Sequence, residues 1–116
     1  MITGIGIDII EVIRIEKLLS GSPRSIQRVF TSKEANYCHK KRNKFQHFAA
    51  RFAAKEAFFK AIGKRISWKD VELVNLSSGQ PQLKIKSKEK FNFERAHVSI
   101  SHLAEYAIAI VLLEKR

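Results

Sequence analysis

Three charged side chains stand in parts of the sequence that are otherwise apolar: Asp8, Glu56 and Lys60. Glu56 and Lys60 are one helical turn apart in "ARFAAKEAFFKAIG", residues 50–63, whose other positions are mostly Ala and Phe. A helix that is apolar on nearly all sides is a buried helix, and charges are rarely buried without a partner. These residue types in this setting indicate either internal ion pairing or a cleft where the charges meet a ligand.

Two arrangements would satisfy these charges. In the first, Glu56 and Lys60 form an i, i+4 ion pair at the edge of the core, and Asp8 caps the helix that follows its strand. In the second, Asp8 and Glu56 face each other, where two carboxylates repel unless a cation lies between them. A hard ion such as Mg²⁺ binds one or two carboxylates together with phosphate oxygens, and Lys60 would then face an anionic substrate. The spacing of the residues leaves both arrangements open.

A second group of polar side chains lies in "HVSISH", residues 97–102. The alternation of this segment predicts a strand on which His97, Ser99 and Ser101 share one face, with His102 following at the turn. Hydroxyl and imidazole groups can bind phosphate oxygens. A strand side that simply faces solvent would show the same pattern, so this group alone does not identify a site.

The strand that carries Asp8 is predicted from period-two alternation. Isoleucines at every second position from Ile5 to Ile9 alternate with Gly4, Gly6 and Asp8. One face of this strand is therefore apolar, and the other is small and carries a single acid. Gly4 and Gly6 allow the close approach of another backbone on that second face.

Helices dominate the first half of the sequence and strands the second half. Helices are predicted over "EVIRIEKLLSG", over "RSIQRVF", from the capping box "TSKE", and over about residues 44–62, ending at Gly63. On the last of these, Arg51 and Lys55 make a second pair of charges one turn apart. Strands are predicted over "VELVNL", "QLKIK", "HVSIS" and "YAIAIVLL", with "SSGQP" as a turn. The pattern predicts one α+β domain over residues 1–116, with a mostly antiparallel sheet packed on the long helix and additional N-terminal helices.

The composition is strongly basic, with 22 Lys and Arg against 11 Asp and Glu and a net charge of +11. This excess indicates an acidic partner, which could be nucleic acid, an acidic protein or a phosphorylated substrate. Arg14, Arg24 and Arg28 alternate with apolar residues on the first two predicted helices, which is typical of a docking surface. One cysteine, no basic leader and no membrane-length apolar run predict a cytoplasmic protein without a membrane partner.

Five short motifs occur in an order typical of one family. "GIGIDIIEV", "FTSKEANYC", "ARFAAKEAFFKAIG", "GQP" and "SISH" follow one another over nearly the whole sequence. In these motifs the sequence resembles the holo-acyl-carrier-protein synthases, the small bacterial 4′-phosphopantetheinyl transferases. The resemblance implies the 4′-phosphopantetheinyl transferase fold. It also implies Mg²⁺-dependent transfer of 4′-phosphopantetheine from coenzyme A to a serine of an apo acyl carrier protein, releasing adenosine 3′,5′-bisphosphate, in fatty acid biosynthesis.

The same resemblance assigns roles to individual residues. Asp8 and Glu56 would bind Mg²⁺, and Lys60 would contact the phosphates or take part in proton transfer. Arg51, Lys60, Gly79, Pro81, Ser101 and His102 would line the coenzyme pocket, and Arg14, Arg24 and Arg28 would face an acidic carrier protein. The resemblance further implies a homotrimer with its sites at the subunit interfaces, and no nucleic-acid partner.

The sequence departs from the family pattern after the long helix. The family commonly has a glycine-rich loop there, whereas this sequence reads "AIGKRISWKD", with Gly63 alone, and the helix itself carries Phe58 and Phe59 where smaller residues are frequent. Three other functions compete with the resemblance: a basic nucleic-acid-binding module, a different Mg²⁺-dependent phosphotransfer enzyme or nuclease, and a basic interaction protein without chemistry.

Overall fold

The computed structural model describes all 116 residues and begins with a strand followed by four helices. These are β1 (Ile2–Glu11), α1 (Val12–Gly21), α2 (Pro23–Val29), α3 (Ser32–His39) and α4 (Lys44–Ile62). A turn of 3₁₀-helix, Trp68–Asp70, leads into β2 (Val71–Asn75), β3 (Pro81–Ile85), β4 (Arg95–His102) and β5 (Tyr106–Glu114). The predicted α+β class and the predicted extent of the long helix are confirmed.

All strand pairs are antiparallel, and they form two sheets. The first sheet has three strands in the order β1-β5-β4, and the second is the hairpin of β2 and β3. In the three-stranded sheet Asp8 pairs with Ala109, which in turn pairs with Ile100. The four helices follow β1 in the chain and precede β2. In the three-stranded sheet β1 is an edge strand, and it pairs with the last strand, β5.

Helix α4 packs on the three-stranded sheet through the glycines of β1. A Cβ atom added at Gly6 would lie 1.9 Å from the carbonyl oxygen of Ala57, and one added at Gly4 would lie 2.2 Å from that of Ala61. Only glycine fits at such distances. The predicted close approach is therefore confirmed, and it brings Asp8 to the last turns of α4, where Glu56 and Lys60 lie.

The end of α4 is determined by Gly63 and by aromatic packing. Gly63 has φ +77° and donates its N–H to the carbonyl of Phe59, a left-handed helix end that favours glycine. Phe58 packs edge-on against Phe91 and Phe93, while Phe59 packs against Trp68. The two phenylalanines that depart from the family pattern are buried and fill the core of this chain.

Helix α3 begins with the predicted capping box and is tied to α4 by a buried ion pair. Thr31 accepts the N–H of Glu34, and Glu34 accepts the N–H of Thr31. The same carboxylate accepts a 2.7 Å hydrogen bond from Lys55, whose Nζ also donates to the carbonyls of Val29 and Trp68. Lys55 is thus a fully satisfied internal cation and has no role at a surface cleft.

The side of the three-stranded sheet that faces away from α4 is apolar and exposed. We call it the isoleucine face; it consists of Ile5, Ile7, Ile9, Ile108 and Ile110. The first three of these side chains are 54–62% exposed. A contiguous apolar sheet face of this kind marks an interaction surface. None of the helices has both the length and the apolar character needed to cross a lipid bilayer.

Candidate active site

A cleft of about 420 Å³ opens between β1, α1 and α4. Its charged lining consists of Asp8 from β1, Arg14 from α1, Glu56 from α4 and Arg65 from the segment after α4. The side chains of Asp8 and Glu56 are each only 16% exposed. Two mostly covered carboxylates therefore share one cleft with several cations.

Lys60 is bound to β1 by two hydrogen bonds. Its Nζ donates to the carbonyl oxygen of Ile7 at 2.9 Å and to Oδ1 of Asp8 at 3.2 Å. Burial raises the pKa of Asp8 above its ordinary value; Lys60 opposes this shift, and the negative charge of Glu56 adds to it. Lys60 thus offsets part of the cost of burying the Asp8 carboxylate.

Glu56 pairs with Arg65 and makes no bond with Lys60. The guanidinium of Arg65 donates two parallel hydrogen bonds to the Glu56 carboxylate, at 2.9 and 3.1 Å. The possible i, i+4 pair of Glu56 and Lys60 is therefore wrong, because the glycine contact brings the carbonyl of Ile7 and the carboxylate of Asp8 within reach of Lys60. The possible capping role of Asp8 is also wrong, since α1 has no side-chain cap.

The donor set of the cleft fits Mg²⁺ better than a transition metal. Asp8 and Glu56 supply two carboxylates, and nowhere in the chain do three or more His, Cys, Asp or Glu side chains gather as a metal cage would require. Zn²⁺ is almost always held by three or four protein ligands, whereas Mg²⁺ keeps several waters and binds one or two carboxylates plus phosphate oxygens. The two acids could hold such an ion together with a phosphorylated ligand.

The basic residues of the first two helices are exposed, and one of them reaches this cleft. Arg14 lines it directly, while Arg24 and Arg28 project from the following helix, α2. On α1, Ile13 and Leu18 are also exposed, at 48% and 43%. The outer surface of α1 and α2 therefore combines positive charge with exposed apolar side chains.

Arg51 belongs to a different group of residues. It is buried, its Nη2 donates to Oδ1 of Asn75 at 2.7 Å, and its guanidinium lies 4.1 Å from the ring centre of Tyr37. Asn75 in turn donates to the carbonyl of Gly79 at 3.0 Å and pairs with Pro81 across the hairpin. Asn75 thus links Arg51 to the turn that holds two other predicted coenzyme residues.

Gly79 and the Nε atom of Arg51 are the two unusual features of this group. Gly79 has φ +90°, a conformation that favours glycine, so the turn geometry requires this residue. Nε of Arg51 is buried and has no hydrogen-bond partner within the chain. An unpaired buried donor is costly, which suits a position where an acceptor from a ligand or a second subunit arrives.

Ser101 and His102 lie on opposite faces of β4. His102 faces α4, where its Nδ1 is 2.8 Å from Oε1 of Gln46 and its ring packs edge-on against His47. Burial lowers the pKa of His47 to about 4, and the neighbouring charges of His102 and Arg51 act in the same direction. Ser101 instead lies on the open side of the sheet, paired with Ile108 of the isoleucine face.

The predicted site residues therefore form two groups in one chain. Asp8, Glu56 and Lys60 meet at the C-terminal half of α4, whereas Arg51 and His102 belong to its N-terminal half, with Tyr37 and His47 between them. His47 and Glu56 are nine residues apart, about 13 Å along the helix. Ser101 belongs to neither group.

Comparison with known proteins identifies the family. Residues 4–111 match the family model of the 4′-phosphopantetheinyl transferase superfamily. The chain belongs to that superfamily. A holo-[acyl-carrier-protein] synthase of Geobacter sp. strain M21 is 44% identical over 125 aligned positions, covering 99% of this chain and 100% of its own. The resemblance inferred from the five motifs is thereby confirmed.

Solved structures of holo-acyl-carrier-protein synthases share the fold and hold coenzyme molecules. The enzyme of Bacillus anthracis, solved in complex with CoA (3′,5′-ADP), has a TM-score of 0.84 and 40% identity, covering 100% of this chain and 99% of its own. The enzyme of Helicobacter pylori, in complex with coenzyme A, has a TM-score of 0.82 and 35% identity, with coverage of 95% and 99%. The 4′-phosphopantetheinyl transferase fold is therefore confirmed.

Three residues of this phosphopantetheinyl transferase were missed by sequence reasoning. Arg65, Asn75 and His47 contact predicted site residues directly. Asn75 stands just before the turn with Gly79 and Pro81, so its partner on α4 could not be read from sequence spacing. His47 is one turn before Arg51 on the same helix, so the two side chains share one helix face. This spacing was the only feature of the sequence that could have indicated His47 as a neighbour of the site.

Proposed function

We propose that the chain, as one domain of residues 1–116, transfers 4′-phosphopantetheine from coenzyme A to a serine of an apo acyl carrier protein. The reaction depends on Mg²⁺, releases adenosine 3′,5′-bisphosphate and serves fatty acid biosynthesis in the cytoplasm. The observation that carries the proposal is the cleft lined by both Asp8 and Glu56, with Lys60 hydrogen-bonded to Asp8. The synthase names of the relatives supply the substrate class.

The residues of the cleft divide the work of the transfer. Asp8 and Glu56 would hold Mg²⁺, which supplies positive charge against the pyrophosphate of coenzyme A. Lys60 is fixed by Ile7 and Asp8 and would stabilise the negative charge that develops on the leaving group. As the bond between the serine oxygen and phosphorus forms, the bond from phosphorus to the oxygen of the bisphosphate breaks, and the serine proton passes to a carboxylate of the cleft or to water.

The carrier protein would dock on the basic surface of α1 and α2, which reaches the cleft at Arg14. Arg14, Arg24 and Arg28 are exposed there, and the chain as a whole carries a net charge of +11. Opposite charges on two partners raise their association rate and fix their orientation. An acidic acyl carrier protein would therefore be steered so that its serine arrives at the cleft.

The coenzyme pocket would be completed in a homotrimer. Arg51, Gly79, Pro81 and His102 lie apart from the two carboxylates in one chain, and Ser101 stands beside the isoleucine face. If that face is covered by a second subunit, Ser101 lies at the interface, and residues from two subunits can surround one coenzyme. An Ile7→Lys variant should then be a monomer by light scattering and should have reduced transfer activity. A monomeric wild-type protein would contradict the trimer.

The transfer reaction is tested by intact-mass spectrometry. An apo acyl carrier protein is incubated with this protein, coenzyme A and Mg²⁺, with EDTA in a parallel sample. We expect a mass gain of one phosphopantetheine that EDTA abolishes. Absence of the gain with several carrier proteins would contradict the proposed activity and favour a binding role for the basic surface.

A further inference from the structure

Arg65 binds the Glu56 carboxylate, and the proposed reaction gives this ion pair no role. It lies in the short segment after α4, residues 64–67, and forms the two parallel hydrogen bonds with Glu56 described above. Its own side chain is 65% exposed, whereas that of Glu56 is 16% exposed. The Glu56 carboxylate is therefore mostly covered, whereas the Arg65 side chain that pairs with it lies largely in solvent.

The two cations that pair with the carboxylates, Lys60 and Arg65, differ in how firmly they are held. Lys60 has a second hydrogen bond, to a backbone carbonyl of β1, and stands on α4 itself. Arg65 has no other hydrogen-bond partner, and its guanidinium lies 5.6 Å and 5.7 Å from the ring centres of Phe59 and Trp68. Because Arg65 lies outside the helix and has no hydrogen bond to the backbone, it is the cation that can leave its carboxylate without moving α4 or β1.

A divalent cation at Asp8 and Glu56 would compete with Arg65 for the same oxygen atoms. Both Glu56 oxygens are bonded to the guanidinium, so a Mg²⁺ ion coordinated by either oxygen would lie close to the positive charge of Arg65 and compete with it for the same carboxylate. Once a divalent charge is present, the guanidinium is also repelled at short range. The displaced group remains in the same cleft, where a planar fork of N–H donors matches the oxygens of a phosphate.

We propose that Arg65 is the resident counter-ion of Glu56, that a divalent cation displaces it, and that the displaced guanidinium binds a phosphate oxygen of the incoming coenzyme. This inference builds on the proposed metal role of Glu56 and names a further ligand-binding residue. Arg65 weakens binding of the cation alone and strengthens binding of the coenzyme with the cation. A merely structural Arg65 would not produce changes of opposite sign.

Calorimetric titration of Mg²⁺ without coenzyme tests the first step. Arg65→Ala should bind Mg²⁺ about three- to tenfold more tightly than the wild type, because the competing charge is gone. Arg65→Gln, which retains a polar side chain, should behave alike. Arg116→Ala is the matched control, since Arg116 lies beside Met1, at the other end of β1 from Asp8, and its removal should leave the Mg²⁺ affinity unchanged.

Titration of coenzyme A in saturating Mg²⁺ tests the second step. Arg65→Ala should weaken coenzyme binding about three- to tenfold, as expected for the loss of one charged phosphate contact at a partly exposed site. Unchanged Mg²⁺ affinity in Arg65→Ala, with binding lost in Glu56→Gln, would overturn the displacement and leave the proposed function intact. Normal Mg²⁺ binding by Glu56→Gln would instead overturn the metal role of Glu56, and the displacement with it.

Discussion

At the scale of single residues, the site depends on charges that are paired inside a cleft. Asp8 is bound by Lys60 and Glu56 by Arg65, so each carboxylate has a cation of its own. The two acids still interact, because the charge of Glu56 raises the pKa of Asp8. Such a pair is poised to accept a cation, which would relieve the repulsion between the two carboxylates.

Replacement of Glu56 by Gln should abolish transfer without unfolding the chain. Gln retains the shape of the side chain but lacks the charge that Mg²⁺ requires, and we expect a loss of at least about 100-fold in the transfer rate. Intact-mass kinetics measure the rate, and circular dichroism checks the fold. Glu105→Gln, an exposed position in the β4–β5 turn, is the matched control and should retain full activity.

Replacement of Asp8 by Asn should raise the melting temperature at pH 7 while removing activity. The pKa of Asp8 is raised in the folded state, so ionisation of this group costs folding free energy above its ordinary pKa. The gain of the variant should shrink as the pH falls towards 3.8, where the unfolded carboxyl also takes up a proton. Thermal melts over this pH range measure the effect, and a lower melting temperature for the variant at pH 7 would contradict it.

At the scale of elements, the contact of β1 with α4 determines the spacing of the two acids. Gly4 and Gly6 touch the carbonyls of Ala61 and Ala57, so the strand lies against the helix backbone itself. A side chain at either glycine would push the two elements apart. Asp8 would then move away from Glu56, although neither residue had been changed.

Gly6→Ala should lower both stability and activity. The new Cβ would lie 1.9 Å from the Ala57 carbonyl oxygen, so strand and helix must separate, at a cost of about 1–3 kcal/mol in the free energy of unfolding. Urea titration measures the stability and intact-mass kinetics the activity. Gly21→Ala is the control, because a Cβ there meets nothing within 4 Å, and we expect its stability to be unchanged or slightly higher.

The buried pair of Glu34 and Lys55 joins α3 to α4. Glu34→Gln would leave the ammonium of Lys55 without its charged partner at 2.7 Å, which should destabilise the chain by about 3–5 kcal/mol. Chemical denaturation measures this loss. The double variant Glu34→Gln with Lys55→Met should recover part of it, and a double variant as unstable as the sum of the single changes would argue against the pairing.

The elements were predictable from sequence where a period was visible. The alternation around Asp8 gives β1, and the apolar run from residue 44 to Gly63 gives α4 with its observed ends. The ion pair of Glu56 with Arg65 was not predictable. Arg65 lies in an irregular segment whose sequence has neither helical nor strand periodicity, and the direction of its side chain depends on the turn after Gly63. The link from Arg51 through Asn75 was hidden for the same reason, since it joins a helix to a separate hairpin.

At the scale of the whole molecule, charge and shape both indicate partners. The chain carries a net charge of +11, and some of its few carboxylates, such as Glu34 and Glu56, are paired with cations of the same chain. The isoleucine face leaves a row of apolar side chains open to solvent on the sheet. These two features suit an acidic partner on the basic surface and an apolar partner on the isoleucine face.

Modification of the carrier protein should slow as salt is added. Raising the salt from roughly 0.05 M to roughly 0.5 M shortens the range of electrostatic attraction and should reduce kcat/KM for the carrier by about tenfold. Arg24→Glu should raise KM for the carrier and leave KM for coenzyme A unchanged. Lys88→Glu, which makes the same charge change at an exposed loop position, should have a much smaller effect.

The glycine contact between β1 and α4 has a consequence for how this protein can vary. Because the strand rests on main-chain carbonyls, the distance between Asp8 and Glu56 is fixed by atoms that every amino acid possesses. Substitutions at exposed helix positions that contact neither the coenzyme nor the carrier protein can therefore accumulate without altering the distance between the two acids. A library randomised over the whole chain and selected for activity should keep glycine at positions 4 and 6 while accepting many residues elsewhere on the surface.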